Sequence, residues 1–400
     1  MKIRMKSYFC THMNMQKIGI IGAGTMGAGI AQVAATAGRT VIITDTNNDV
    51  LQRSKASTEN MLHKLEEKGK IPQGMAAGIA GRMEWTTGIA DLKDCSLVIE
   101  AIVENLDIKQ KVFRELETIV DPACMLATNT SSLSVTSIAS ASHFPERVVG
   151  IHFFNPAPLM ELVEIVPALQ SSEDVVSAAM QEISAWGKKG VRAKDTPGFI
   201  VNRIARPYYS EAIRMAEEGL GSYAEIDEAL TTLGGFRMGP FALMDLIGHD
   251  VNYTVTETVW KAFYFDPRYT PSFTQKRLVE AQWLGKKTGR GFYQYIDGRT
   301  QEAASALNPE QKKYILNRVL VMLINEAAHA LYSGVASRED IDLAMTKGVN
   351  YPKGLLRWAD ELSIAYCVHT LDELYTFYHE DRYRCSPLLR NMLKNQTTFY

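Results

Sequence analysis

Residues 17–27 read KIGIIGAGTMG, and the fold turns on this stretch. Lys17 to Ile21 is a short run rich in β-branched residues, as a buried strand requires. Gly22, Gly24 and Gly27 follow at the G-x-G-x-x-G spacing, then a helical stretch from Ala28 to Ala37 that Gly38 stops. Arg39 to Thr44 is a second apolar strand, ending at Asp45. Strand, glycine turn, helix, strand and acid within about 30 residues make a βαβ unit carrying a dinucleotide fingerprint. Gly22 permits the tight turn, Gly24 lets backbone N–H groups approach a pyrophosphate, and Gly27 allows close helix–strand packing. The helix N-terminus offers the positive end of a dipole to the phosphates. Asp45 can accept both ribose hydroxyls and would repel a 2′-phosphate, which favours NAD over NADP.

The pattern continues downstream. Helical periodicity runs from Asp49 to Lys68 and from Ile108 to Val120, and apolar strands are expected at Ser96–Glu100, Cys124–Thr128 and Val148–Phe153. Such alternation implies a parallel sheet covered on both faces. Met160 to Val166 alternates more and suggests a later, peripheral strand. Lys188 to Gly198 is basic and marked by Pro and Gly, as a linker is, and a second break lies at Asp297 to Glu310. Between and beyond them the chain is mostly helical and repeats itself at an offset of 115 residues without a gap. Phe199–Arg203 matches Tyr314–Arg318, Glu211-Ala212 matches Glu326-Ala327, and Ile226–Ala229 matches Ile341–Ala344. Gly239, Asp245 and Asp266 match Gly354, Asp360 and Asp381. Two copies are too few for a solenoid, so a pseudo-symmetric pair is expected. The architecture is an α/β Rossmann-type domain (16–196), a helical domain (197–297), a linker (298–308) and a homologous helical domain (309–400), after a short disordered leader (1–15) with Met13 or Met15 as possible starts.

Composition excludes several classes. With 43 Lys+Arg against 45 Asp+Glu the formal charge is −2, without the basic field of a nucleic-acid binder. No run of 18 apolar residues exists, so no membrane span is expected. Five cysteines, far apart and without a CxxC pair, argue against a disulfide scaffold or a structural metal site. The leader carries Lys2, Arg4 and Lys6 but no apolar core of a secretory signal, so a cytoplasmic location is expected.

Four polar residues are candidates for chemistry. His152 ends the strand from Val148, where open α/β sheets place ligands. Glu164 shares a strand face with Leu162 and Val166, so its carboxylate points inward and needs a partner, for which a nearby histidine is apt. Ser131 follows Asn129-Thr130 just past a strand, and Asn202 lies early in the first helix after the linker, where it could reach an interdomain cleft. Oxidising an alcohol with NAD needs a base for the hydroxyl proton. Histidine titrates near neutrality, and a carboxylate behind it fixes its tautomer. Structural roles compete with these. Glu164 could pair with a lysine and Ser131 could cap a helix. Asn317, the repeat mate of Asn202, has no Rossmann unit of its own, which points to a role for both asparagines in the helical fold.

Taken together, six segments resemble the short-chain L-3-hydroxyacyl-CoA dehydrogenase family. They are IGAGTMGAGIA from Ile21, EAIVEN from Glu100, NTSSL from Asn129, HFFNPAPLMELVE from His152, DTPGFIVNR from Asp195 and GKKTGRGFY from Gly285. The resemblance covers roughly residues 16–297, and the trailing copy is similar to the family's C-terminal domain again. It implies reversible hydride transfer between NAD and C3 of a 3-hydroxyacyl-CoA, giving the 3-oxoacyl-CoA. His152 is then the base, Glu164 its partner, and Ser131 and Asn202 the substrate contacts. It further implies NAD contacts at Glu104, Lys109, Asn155 and Lys287, and a coenzyme A contact at Lys68, although Met61 stands where some members have serine. The substrate expected is 3-hydroxybutyryl-CoA. The rival substrate is 3-hydroxyadipyl-CoA of phenylacetate breakdown, since the duplicated domain resembles longer bacterial members. An enzyme acting on free hydroxy acids and a non-catalytic, crystallin-like NAD binder are rival functions. Single-copy members dimerise through the helical domain, so the second copy is expected to imitate that contact within one chain, with further homo-oligomerisation left open.

Overall fold

A strand buried on both faces satisfies its backbone by pairing along both edges. In the computed structural model the strand Lys17–Ile21 (β1) pairs on one side with Thr40–Thr44 (β2) and on the other with Leu97–Glu100. The structure describes residues 16–297, 299–300 and 307–400; the expected leader, Cys10 and most of the expected 298–308 linker lie outside them. The chain divides into two compact units between Thr196 and Pro197.

The first unit is an eight-stranded sheet with helices. Beyond β1 and β2 its strands are Met83–Thr86 (β3), Leu97–Glu100 (β4), Met125–Thr128 (β5), Val148–Phe153 (β6), Leu162–Pro167 (β7) and Lys189–Arg192 (β8). Their spatial order is β3-β2-β1-β4-β5-β6-β7-β8. Every neighbouring pair is parallel except β6 and β7. The reversal of strand order beside β1 puts the glycine turn at a topological switch point, where such sheets hold ligands. Ile18, Ile20, Val41, Ile43, Leu97, Ile99, Ile151 and Ile165 are among its fully buried core.

Two strands escape a reading by sequence pattern. β8 falls inside the stretch expected to be a linker, and only Val191 of its four residues is buried, so it carries almost no hydrophobic pattern. β3 likewise has one buried residue, Met83. β7 is not peripheral: it lies between β6 and β8 and is buried from Leu162 to Val166.

The second unit is helical. The helices Tyr223–Thr232, Pro240–Ile247 and His249–Ala262 have counterparts Arg338–Gly348, Leu355–Leu362 and Ile364–Tyr378, each starting 115 residues later. The repeated Asp and Gly have one physical reason. Asp227 accepts the amides of Phe241 and Ala242 at 2.9 Å each, and Asp342 those of Leu356 and Arg357 at 2.8 and 3.1 Å. A Cβ at Gly239 or Gly354 would stand 2.3 Å from that aspartate's Cγ. The register does slip once, which corrects the Asp266–Asp381 match. Tyr264 and Phe265 both have positive φ (53° and 65°) in the first copy, where the second spends a single residue, His379 at 51°. From there Arg268-Tyr269 corresponds to Arg382-Tyr383, and Asp266 to Glu380.

The two copies exchange buried charges. Glu326 of the second copy accepts Arg203 Nε at 2.7 Å, the Tyr269 hydroxyl at 2.5 Å and Arg268 Nη1 at 3.4 Å, all from the first. Glu211 of the first accepts Arg318 Nε at 3.0 Å, the Tyr383 hydroxyl at 2.9 Å and Arg382 Nη1 at 3.4 Å, all from the second. Each contact is the image of another under the repeat. The helix Pro309–Tyr332 packs against Arg206–Glu217 and Tyr223–Thr232.

Cys95, Cys124, Cys367 and Cys385 are buried free thiols. Among the described residues no helix is long and apolar enough to cross a membrane.

Candidate active site

The glycine turn is built as its spacing requires. Gly22 has φ 98°, donates its amide to Thr44 O at 2.8 Å, and has Ala101 O 2.6 Å from where a Cβ would sit. A Cβ at Gly27 would lie 1.8 Å from Gly22 O, so the helix Thr25–Thr36 can start here only with glycine. At Gly24 a Cβ would meet nothing within 4 Å, so internal packing does not demand this glycine. Asp45, just past β2, accepts the Ala23 amide at 2.9 Å and the Asn47 amide at 2.9 Å, which fixes its carboxylate at the turn.

Beside the turn lies a buried polar relay for which the sequence offers no signal at Glu100. This residue, fully buried at the end of β4, accepts Lys109 Nζ at 2.6 Å, the Ile102 amide at 2.8 Å and the Thr128 hydroxyl at 2.7 Å. Lys109 also reaches Glu104 at 3.3 Å. Glu104 in turn accepts the Thr130 hydroxyl at 2.6 Å and the amides of Ser131 and Ser132 at 3.0 and 3.1 Å. Partial burial works against its charge, but Lys109 and these donors hold its carboxyl below the usual range. Lys109 is 1% exposed, so the ammonium organises the two carboxylates from inside.

The catalytic candidates sit at neighbouring strand ends. β6 and β7 are antiparallel with His152 directly opposite Glu164. His152 Nδ1 lies 2.7 Å from Glu164 Oε2, with the residues 5% and 0% exposed. A buried carboxylate thus has the histidine it needs. β5 runs parallel to β6, and Asn129 Oδ1 accepts the Phe153 amide at 2.8 Å, tying the Asn129–Ser131 loop to the histidine strand. Ser131 does not cap a helix: the helix Val135–Ala139 is capped by Ser134, whose hydroxyl donates to Asp195 at 2.9 Å.

The remaining candidates lie on other elements. Asn155 is exposed after β6, and Lys68 is exposed at the end of the helix Asn48–Glu67. Lys188, read as the start of a linker, donates to the carbonyls of Ala157 and Met160 at 2.7 Å each and clamps the loop after His152. Asn202 and Lys287 belong to the second unit. Lys287 Nζ meets Asp250 at 2.6 and 2.7 Å; against partial burial, this pairing holds the Asp250 carboxyl low. Asn202 and its repeat mate Asn317 are both half-buried. Phe153 stacks on Trp186 at 6.0 Å and Met244 is fully buried, so both are core residues. Among the described residues no group of three or more His, Cys, Asp or Glu is placed to hold a metal ion.

Comparison with known proteins gives a consistent result. Residues 17–196 match the model of the 3-hydroxyacyl-CoA dehydrogenase NAD binding domain. Residues 198–295 and 314–398 each match that of the 3-hydroxyacyl-CoA dehydrogenase C-terminal domain. A 3-hydroxyadipyl-CoA dehydrogenase of Escherichia coli is 38% identical, over 94% of this chain and 97% of its own. A probable 3-hydroxybutyryl-CoA dehydrogenase of Deinococcus radiodurans is 41% identical over 70% of this chain and all of its own. A crystal structure of a 3-hydroxybutyryl-CoA dehydrogenase from E. coli superposes with TM-score 0.91 at 36% identity, over 96% of this chain and all of that one.

Proposed function

This chain belongs to the 3-hydroxyacyl-CoA dehydrogenase family, and from that premise we propose which of its residues run the reaction. The enzyme interconverts an L-3-hydroxyacyl-CoA and its 3-oxoacyl-CoA with NAD. The residues fit the cofactor: the open face at Gly24, the helix N-terminus and the Asp45 carboxylate suit a pyrophosphate and a ribose diol. When bound, NAD supplies the hydride acceptor. Glu104, Lys109, Asn155 and Lys287 complete its site in this reading.

His152 takes the proton of the C3 hydroxyl. Its Nδ1 faces Glu164, so proton acceptance falls to Nε2 while the carboxylate stabilises the imidazolium that forms. Ser131 and Asn202 position the substrate oxygen, and Lys68 meets coenzyme A. The observation that carries this reading is the 2.7 Å His152–Glu164 pair at the end of the histidine strand. The test is NAD-dependent turnover of L-3-hydroxybutyryl-CoA. His152→Ala should lower kcat by about 10²–10⁴. Near-normal turnover in that variant would sink the assignment, and NADH binding by the wild type without turnover on any acyl-CoA would favour a non-catalytic NAD binder.

Two acyl chains fit this reading. Short-chain 3-hydroxybutyryl-CoA is the first. The second is 3-hydroxyadipyl-CoA, the substrate named for the E. coli relative that is 38% identical along both helical copies. The two copies, 197–297 and 309–400, form an intramolecular pseudo-dimer, a reading that the reciprocal Glu211 and Glu326 clusters support.

A further inference from the structure

A buried guanidinium calls for an anion. Of the four buried arginines described in the helical unit, Arg203, Arg318 and Arg382 each face a glutamate. Arg206 does not. It is 5% exposed, donates Nη1 to the Thr256 hydroxyl at 3.0 Å, and lies 4.9 Å over the Tyr209 ring. Among the described residues its buried Nε has no hydrogen-bond partner, and neither has the buried Tyr351 hydroxyl within electrostatic reach. Burial pulls the guanidinium below its usual range, and Tyr209 and Tyr351 only partly oppose this.

The fold itself does not ask for these groups. The internal repeat supplies the control, because each of these positions has an image in the other copy. Arg206, Tyr209, Thr256 and Tyr351 correspond to Val321, Ile324, Leu371 and Phe236. The first three images are 0% exposed and Phe236 is 4% exposed, so the same packing is met there by apolar side chains. A polar set in one copy against an apolar set in the other points to a ligand. Arg206 opens the helix Arg206–Glu217, and Asn202 lies four residues earlier in the short helix Val201–Ile204 that leads into it.

We propose that Arg206, with the Tyr351 hydroxyl beside it, binds the distal carboxylate of a dicarboxylic 3-hydroxyacyl-CoA whose acyl chain is positioned by Asn202 on the preceding short helix. This rests on the reading of Asn202 as a substrate contact. A dicarboxylic chain of about six carbons carries its carboxylate a few bonds beyond C3, a reach on the scale of four residues of folded chain and a long arginine side chain. A carboxylate balances the single guanidinium charge, whereas a phosphate dianion would leave excess charge buried.

The test compares 3-oxoadipyl-CoA with 3-oxohexanoyl-CoA, equal in length but without the carboxylate, and with acetoacetyl-CoA. The wild type should favour the dicarboxylic substrate over 3-oxohexanoyl-CoA by about 100-fold in kcat/KM, because the uncharged analogue leaves the arginine unpaired. Arg206→Met should erase that preference, change turnover of the other two by no more than about threefold, and leave Tm unchanged or higher, since it removes an unpaired buried charge. Arg206→Lys should keep part of the preference. No dicarboxylate preference in the wild type, or equal losses on all three substrates in the variant, would overturn the proposal. The wild-type comparison decides the matter even where a variant does not fold. Wild-type activity on acetoacetyl-CoA without the preference refutes the carboxylate site alone; inactivity on all three refutes the dehydrogenase reading beneath it.

Discussion

Among single residues, the proposed base and its partner are paired by one cross-strand register. Because β6 and β7 are antiparallel with His152 opposite Glu164, a one-residue slip would put the two on opposite faces of the sheet. Glu164→Gln keeps the shape and removes the charge that stabilises the imidazolium. It should lower kcat by about 10²–10⁴ with little change in KM, which steady-state kinetics on acetoacetyl-CoA would show; an unchanged kcat would place Glu164 outside the mechanism. Both residues were legible in the sequence, His152 from its strand end and Glu164 from the period-2 pattern around it. Glu100 was not. Its importance comes from Lys109 and Thr128, nine and 28 residues away, and no local pattern couples them. Arg206 was hidden for a similar reason: an arginine in a helix reads as a solvated residue until its surroundings are known to lack an acid.

Among the elements, the charged clusters between the helical copies make the second unit sensitive to acid. Burial would raise the Glu326 carboxyl, but Arg203 and Arg268 hold it low. A depressed carboxyl contributes stability above its unfolded value of 4.5 and loses it as pH falls through the folded one. His329, on the same helix as Glu326, is pushed down to about 4 by burial and then by Arg268. The unfolded chain therefore takes up that proton first, and stability declines as pH falls from 6.5 towards about 4. Thermal melts from about neutral pH down to about pH 5 should show a falling Tm, and His329→Gln should flatten that part of the profile; an unchanged slope would remove His329 as the cause. Glu326→Gln leaves Arg203 and Arg268 without their buried acid and should cost about 3–5 kcal/mol, measured by denaturant unfolding near neutral pH. Helix and strand positions were largely readable from periodicity. β3 and β8 were not, because a strand with one buried residue has no pattern to read.

For the molecule as a whole, the duplication explains the length. One Rossmann unit and one helical copy would end near Asp297, and the remaining residues form a second copy that covers the first. A chain truncated after Asp297 would expose the face of Arg206–Glu217 and Tyr223–Thr232 now packed on the helix Pro309–Tyr332. Sedimentation should show the truncated chain in a higher assembly than the full chain, or aggregated; a stable truncation with the same subunit number as the full chain would refute the pseudo-dimer. The nucleotide-binding turn, the family, the reaction and the existence of two copies could all be read along the chain, because each is written in residues close together or at a fixed repeat. The pairing of charges emerged only in the folded molecule. Glu211 and Glu326 exchange partners between the copies, while Arg206 has no acid partner among the described residues. Pairing depends on which side chains share a buried volume, and burial is a property of the folded chain that spacing along it does not encode.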